Sequence, residues 1–573
     1  MAEITGAQQE VLDATDNVVV VGPPGSGKTT VALWRAQRII KAGGLAEHQK
    51  VLFLSFSRGA VGRIAAAARL ELSREPRRRL KIATYHSFCH EMLSAHCALL
   101  RLRPPFHILL PEEVTIIKNE VEKVAEELKR LEIAESRVPF ERFAPRSVEL
   151  LRRYPVLLRA YGQSYPLIIV DEYQDTDDTE DEFVRLLGGQ CQIVCLGDAD
   201  QRIYDYRAGS RADRLETLQL KHGFRRIDLG TQNHRNATSG IREYAQSILA
   251  GVPIESKAVH VIRTPAGHDH LIKKICNAVT FTRSRAARER WGGARGPSIA
   301  VMLPTNDLVR LVSRELQELP EEDRRRFRHE VFVDQAELGI AWDLILDLLD
   351  GVSVRDMAGA LQGLLSNVRR YFRHRGGSVA LKKAGTIEAW QRSLSAGTPT
   401  RSQFIPAVRT ALAGAKPCTG NPIDDLRALI ERLTDLPGDY LTHVVELLEL
   451  RCPGMSEAKV RNDLAQRFVE DGNYAGAGGI GRRYMLMETL LDSSERRARL
   501  SIMTLHRSKG SEFDAVVIAE TSREPGRFVI RDDQDGFAKS RRLLHMALTR
   551  ARYRATILTP VFDVCPLIKP TTS

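Results

Sequence analysis

Directly after the apolar run Val18–Val21 the chain reads Gly22-Pro23-Pro24-Gly25-Ser26-Gly27-Lys28-Thr29 and then continues as TTVALWRAQRII, a helical pattern. No other feature limits the fold as tightly. A strand that feeds a glycine-rich loop and then a helix belongs in an α/β sheet. The glycines let backbone N–H groups close around a phosphate at the helix N-terminus. Gly22, Gly25, Ser26 and Gly27 form the cradle, Lys28 reaches the β/γ-phosphates, and Thr29 offers its hydroxyl to Mg²⁺. The expected ligands are therefore ATP and Mg²⁺.

A second acidic element fits the first. Asp171-Glu172 closes the apolar run LIIV downstream of the loop, where a magnesium-holding carboxylate and a general base are needed. Asp171 is expected in the metal shell, and Glu172 takes a proton from the attacking water.

Two regions alternate short apolar runs with helices, the pattern of parallel sheets covered on both faces. The first contains runs at 17–22, 50–56, 80–85, 167–172 and 192–198; the second contains runs at 297–304, 500–506, 515–520 and 554–560. A helical stretch near 91–160 interrupts the first region, and a longer one, 341–497, interrupts the second. Within the longer stretch, AGAGGIG (475–481) reads as a linker or mobile loop.

Composition narrows the class further. With 573 residues, 43% hydrophobic and 27% charged, the chain can bury cores without staples. No run of about 18 apolar residues suggests a membrane span, and the polar N-terminus lacks a signal region, so a cytoplasmic location is expected. The eight cysteines form no CxxC pair; the nearest two, Cys191 and Cys195, sit by the apolar run QIVCLGD and read as buried-strand residues. The net charge of +12 suits a polyanion partner or serves solubility.

An ordered series of motifs resembles the UvrD/Rep/PcrA branch of superfamily 1 DNA helicases. ITGAQQEVL resembles the family's Q-motif, VLFLSFSRGA (51–60) its TFTNKAA segment, and ATYHSFC (83–89) its GTFHSFC segment. DEYQD (171–175), LGDADQRIYDYRAG (196–209), QNHRN (232–236), MTLHRSKGSEFDAVVI (503–518) and RRLLHMALTRAR (541–552) follow in family order. The resemblance implies two tandem RecA-like P-loop domains, each with a mainly helical insertion. Their expected extents are 1–90 with 161–228 and 229–340 with 498–573, the insertions being 91–160 and 341–497.

The same resemblance implies roles for individual residues. Gln8 reads adenine, Gln201 senses the γ-phosphate, Arg235 and Arg550 reach across from the second domain, and Glu512 contacts the ribose. Along a single-strand channel it places Phe56, Ser57, Tyr85, His86, Tyr206, Arg207 and His506. Stacking on aromatic faces tolerates any base, which suits stepping regardless of sequence. For Tyr206 and Phe56, packing in a core competes with stacking on a base. His234 stands where the family has an adenine-stacking tyrosine, and Thr30 where many members have an arginine against that base. Arg58-Gly59 and Lys539-Ser540 also depart from the pattern.

The expected activity is ATP-dependent movement on single-stranded DNA, 3′→5′, with unwinding at single-strand/duplex junctions, in repair, recombination or anti-phage defence. A DNA-sensing ATPase that regulates a separate nuclease is the alternative, and an RNA helicase a third reading. The chain ends soon after RRLLHMALTRAR, so a nuclease or repair activity is expected from another protein.

Overall fold

The computed structural model describes residues 4–23, 25–55, 58–198, 209, 211–230, 240–265, 267–284, 296–332, 335–415, 418–434, 436–450, 458–490, 499–522, 526–528 and 537–568. In chain order its strands are β1 (Val18–Val21), β2 (Val51–Ser55), β3 (Leu80–Thr84), β4 (His107–Leu109), β5 (Arg137–Pro139), β6 (Leu167–Val170) and β7 (Gln192–Gly197). They continue as β8 (Arg225–Asp228), β9 (Val259–Thr264), β10 (Ile299–Leu303), β11 (Glu330–Phe332), β12 (Leu500–Thr504), β13 (Phe513–Ala519) and β14 (Ala551–Pro560). The first three helices are α1 (Gly6–Asp13), α2 (Lys28–Lys41) and α3 (Arg58–Glu71).

Two six-stranded sheets result, in the orders β3-β2-β6-β7-β1-β8 and β11-β12-β10-β13-β14-β9. Every pairing in both is parallel. The inner strands β1, β2, β6 and β10 are buried at every position, as consecutive apolar residues require when helices cover both faces. The first core packs Val18, Val20, Phe53, Leu167 and Ile169 against Val31, Leu33 and Ala36 of α2. The second packs Met302, Val516, Ile518 and Ile557 against Ile241, Ile248, Leu544 and Leu548. This is the expected α/β class with two parallel sheets.

Nine of the twelve strands in these sheets coincide with the apolar runs. The other three, β8, β9 and β11, are all edge strands and show why no run marks them. Half-covered, they alternate or carry charge: β8 reads RRID, with only Ile227 buried.

The chain divides into two compact units. One holds Met1–Leu100, Arg142–Phe332 and Asp492–Ser573 with both six-stranded sheets; the other holds Arg101–Glu141 and Val333–Leu491. The helices Phe143–Arg153 and Pro155–Ser164 therefore belong with the sheets. The second unit is mainly helical, with the short parallel pair β4–β5.

One expectation is corrected in that unit. AGAGGIG is not a linker, because from Ala477 onward it forms the helix Ala477–Leu490. Gly478 and Gly481 are buried there, against the helix Gln335–Ser353. A Cβ on Gly478 would collide with the Asp347 carboxylate, and one on Gly481 with the Leu346 side chain. These glycines serve close helix approach, a use that composition does not separate from flexibility.

Candidate active site

Parallel strands send all their C-terminal ends to one edge, and β1, β7 and β6 are successive neighbours. The Gly22 loop, Asp198 and Asp171 thus leave the sheet side by side, where ligands gather in such sheets. Gly25 and Gly27 take φ of 82° and 86°, the left-handed region that favours glycine. Gly22 is confined differently: a Cβ there would lie 2.6 Å from Ser26 Oγ. Gly27 caps α2 without a side-chain hydrogen bond, so the first-turn amides have no side-chain cap of their own. Ser26 is 2% exposed, and its hydroxyl has no hydrogen-bond partner among the described residues. A buried orphan hydroxyl beside an uncapped helix start fits a phosphate oxygen. Lys28 Nζ donates to the carbonyls of Gly22 and, at 3.1 Å, Pro23. Thr29 and Thr30 are half-buried in the first turn.

Glu172 follows β6 in the left-handed region, at φ 54° and ψ 40°. A non-glycine residue there costs of order 1–3 kcal/mol and persists only where its surroundings fix it. The turn Tyr173–Asp175 does so: Asp175 N–H donates to Glu172 O at 3.0 Å, and Tyr173 OH donates to buried Asp181 at 2.6 Å. Gln174, 2% exposed, donates to Glu172 Oε2 at 2.7 Å and accepts from Asp198 N–H at 3.0 Å. It ties the carboxylate to the end of β7.

Electrostatics separates the two acids. Burial opposes ionisation of Glu172, but Lys509, Arg63, Arg550 and Lys28 outweigh it and hold its carboxyl below the ordinary value. Burial and then the charge of Glu172 raise Asp171, which Arg63 and Lys28 only partly offset. A buried carboxylate pushed up in this way is short of counter-charge. Asp171 and the Thr29 hydroxyl are oxygen donors of the kind a hard divalent cation takes, so the residues present fit Mg²⁺.

The second sheet contributes directly. Lys509 lies in the connection from β12 to β13 and forms an ion pair with Asp175; their side chains are 5% and 0% exposed. Arg550, 1% exposed, precedes β14; its Nε donates to Met546 O at 3.0 Å and its Nη2 to Thr549 Oγ1 at 3.3 Å. Glu512 joins Arg63 of α3 at 3.4 Å to Arg552 of β14 at 3.1 Å. Lys28, Glu172, Asp171 and Arg550 thus share one locus of paired opposite charges with Lys509 and Arg63. Sequence reasoning assigned no role to Lys509, Asp175, Gln174 or Arg63. The first three sit inside quoted motifs, whereas nothing in RGAVGRIAAAAR singles out Arg63.

Other residues take different places. Gln8, 7% exposed, accepts the Thr5 amide on Oε1 at 3.1 Å, so its carbonyl is engaged in capping α1. Tyr85 is 1% exposed, and its ring packs inside the first unit, because it opens the helix Tyr85–His96 on that helix's inward face. His86 is half-buried and His506 exposed. Gln201, Arg235, His234, Phe56, Ser57, Tyr206 and Arg207 lie outside the described residues. Among the described residues no helix is long and apolar enough to cross a membrane.

Comparison with known proteins gives the family. Residues 4–135 and 113–221 match the family described as UvrD/REP helicase N-terminal domain. Residues 479–559 match the UvrD-like helicase C-terminal domain. The ATP-dependent DNA helicase UvrD1 of Mycobacterium tuberculosis H37Rv is 24% identical over 96% of this chain and 80% of its own length. DNA helicase II of Haemophilus influenzae is 25% identical over 42% of this chain and 40% of its own. With its two sheets as tandem RecA-like folds and matches to both family halves, the chain belongs to the UvrD-like helicases, ATP-dependent enzymes.

Proposed function

We propose that the chain hydrolyses ATP to move 3′→5′ along single-stranded DNA and to open duplex at single-strand junctions. The observation that carries this reading is the position of Glu172. Lys28 comes from its own sheet and Lys509 and Arg550 from the other, and all three act on the same carboxylate. Glu172 is ionised at neutral pH and held by Gln174, so it can orient a water and take its proton. Lys28 and Arg550 neutralise charge on the γ-phosphate, where phosphoryl transfer needs it most. Thr29 and Asp171 would hold Mg²⁺, which supplies further neutralisation of the phosphates. Because the cations come from two sheets, nucleotide favours one relative arrangement of them and phosphate release another, which converts hydrolysis into movement.

DNA-stimulated ATP hydrolysis by the purified chain is the test. Lys28→Ala and Glu172→Gln should each lower kcat by roughly 10²-fold or more, with the fold intact by circular dichroism. Hydrolysis indifferent to DNA, or undiminished in both variants, defeats the proposal. Duplexes with 3′ and 5′ tails report direction. Adding a candidate nuclease to the same assay tests the regulatory alternative, which expects unwinding only with that partner. A setting in repair, recombination or defence follows from such a partner.

A further inference from the structure

Helix α3 starts at Arg58, immediately after segment 56–57, which the family resemblance assigns to DNA. Arg63 lies five residues further on, roughly 7 Å along the axis at 1.5 Å per residue. Its side chain is 26% exposed, and Nη1 donates to Glu512 Oε1 at 3.4 Å. The other Glu512 oxygen accepts from Arg552 at 3.1 Å. Burial works against the charge on Arg63, but Glu512, Asp171 and Glu172 more than offset it. Arg63 therefore pairs with the acid that the resemblance assigns to the ribose and lies close enough to the hydrolysis carboxylates to feel their charge. A charge-assisted contact of 3.4 Å lies at the long end of useful geometry, so small shifts of α3 strengthen or break it.

We propose that Arg63 is a positioning residue that transmits strand binding at the start of α3 to the ATP site through Glu512. A helix moves as a rod, so a strand that displaces its first turn displaces Arg63 with it. Glu512 then shifts relative to Glu172, and the nucleotide sugar relative to the attacking water. The inference rests on the DNA-motor reading above and adds the route by which DNA acts on hydrolysis.

The test uses the full chain, steady-state ATPase with and without saturating oligo(dT), and anisotropy of a labelled oligonucleotide. Arg63→Ala should cut the ratio of DNA-stimulated to DNA-free kcat by at least about five-fold, the scale of a site-to-site coupling, while DNA affinity holds. Arg63→Lys, which keeps the charge, should recover a substantial part of that ratio and carries the test if the alanine variant does not fold. An unchanged ratio, equal losses with and without DNA, or a loss of DNA affinity in step with the ratio would each overturn the proposal. Wild-type hydrolysis that ignores DNA would instead sink the motor reading itself.

Discussion

His545 sits on the helix Ala538–Leu548, five residues before Arg550, and is fully buried. Neither ring nitrogen has a hydrogen-bond partner among the described residues. Burial, then Arg550 and Arg242, push its pKa from 6.5 down to about 4. A histidine that stays neutral when folded but protonates when unfolded confers stability above its unfolded pKa. That stability drains away as pH falls from 6.5 towards 4, because only the unfolded chain binds the proton. The full difference corresponds to about 3 kcal/mol at 1.36 kcal/mol per unit. Replacing His545 with Leu also removes two unsatisfied nitrogens, so it should leave stability at pH 7.5 equal or higher. The gap between variant and wild type should then widen on acidification, as read by denaturation midpoints at several pH values. A gap independent of pH would mean that the ring protonates without cost in the folded protein.

At the level of elements, the glycines of the helix Ala477–Leu490 separate two meanings of one residue type. Alanine normally favours a helix over glycine by about 1 kcal/mol. Gly479 is exposed, with open space where an added methyl would sit, so that gain should appear there as a rise of up to about 1 kcal/mol. At Gly481 the methyl would strike buried Leu346, and at Gly478 it would strike Asp347, which Asn367 holds at 3.0 Å. Overpacking there should reverse the sign and cost about 1–3 kcal/mol. Chemical denaturation of the three alanine variants checks the pattern; equal effects would return the segment to a loop-like role. The same contrast shows what the sequence could and could not reveal. The phosphate loop was legible because one short segment carries its whole geometry, from β1 to the start of α2. Motif matching brought Tyr85 forward for DNA, yet a match does not say which side of a helix faces the core. Edge strands β8, β9 and β11 escaped because half-covered strands need no apolar run.

At the scale of the whole first unit, the contacts between the sheets join residues far apart in the chain: 334 positions separate Asp175 from Lys509, and 449 separate Arg63 from Glu512. No local pattern specifies such pairings, although both partners of the first sit inside motifs. Lys509 and Asp175 are almost wholly buried, so each charge leans on the other. Lys509 also helps keep Glu172 ionised, so the pair joins the sheets and tunes the site at once. Removing one partner leaves the other charge buried without this ion pair. Lys509→Met and Asp175→Leu should each lower stability by about 3–5 kcal/mol, whereas the double variant should fall well short of their sum. The cycle should return a coupling of about 1–3 kcal/mol from the first unfolding transition in denaturant. ATPase should not recover alongside stability in the double variant, since it still lacks the lysine that acts on Glu172. Additive stabilities would show that the two side chains do not depend on one another, and full recovery of hydrolysis would remove Lys509 from the chemistry.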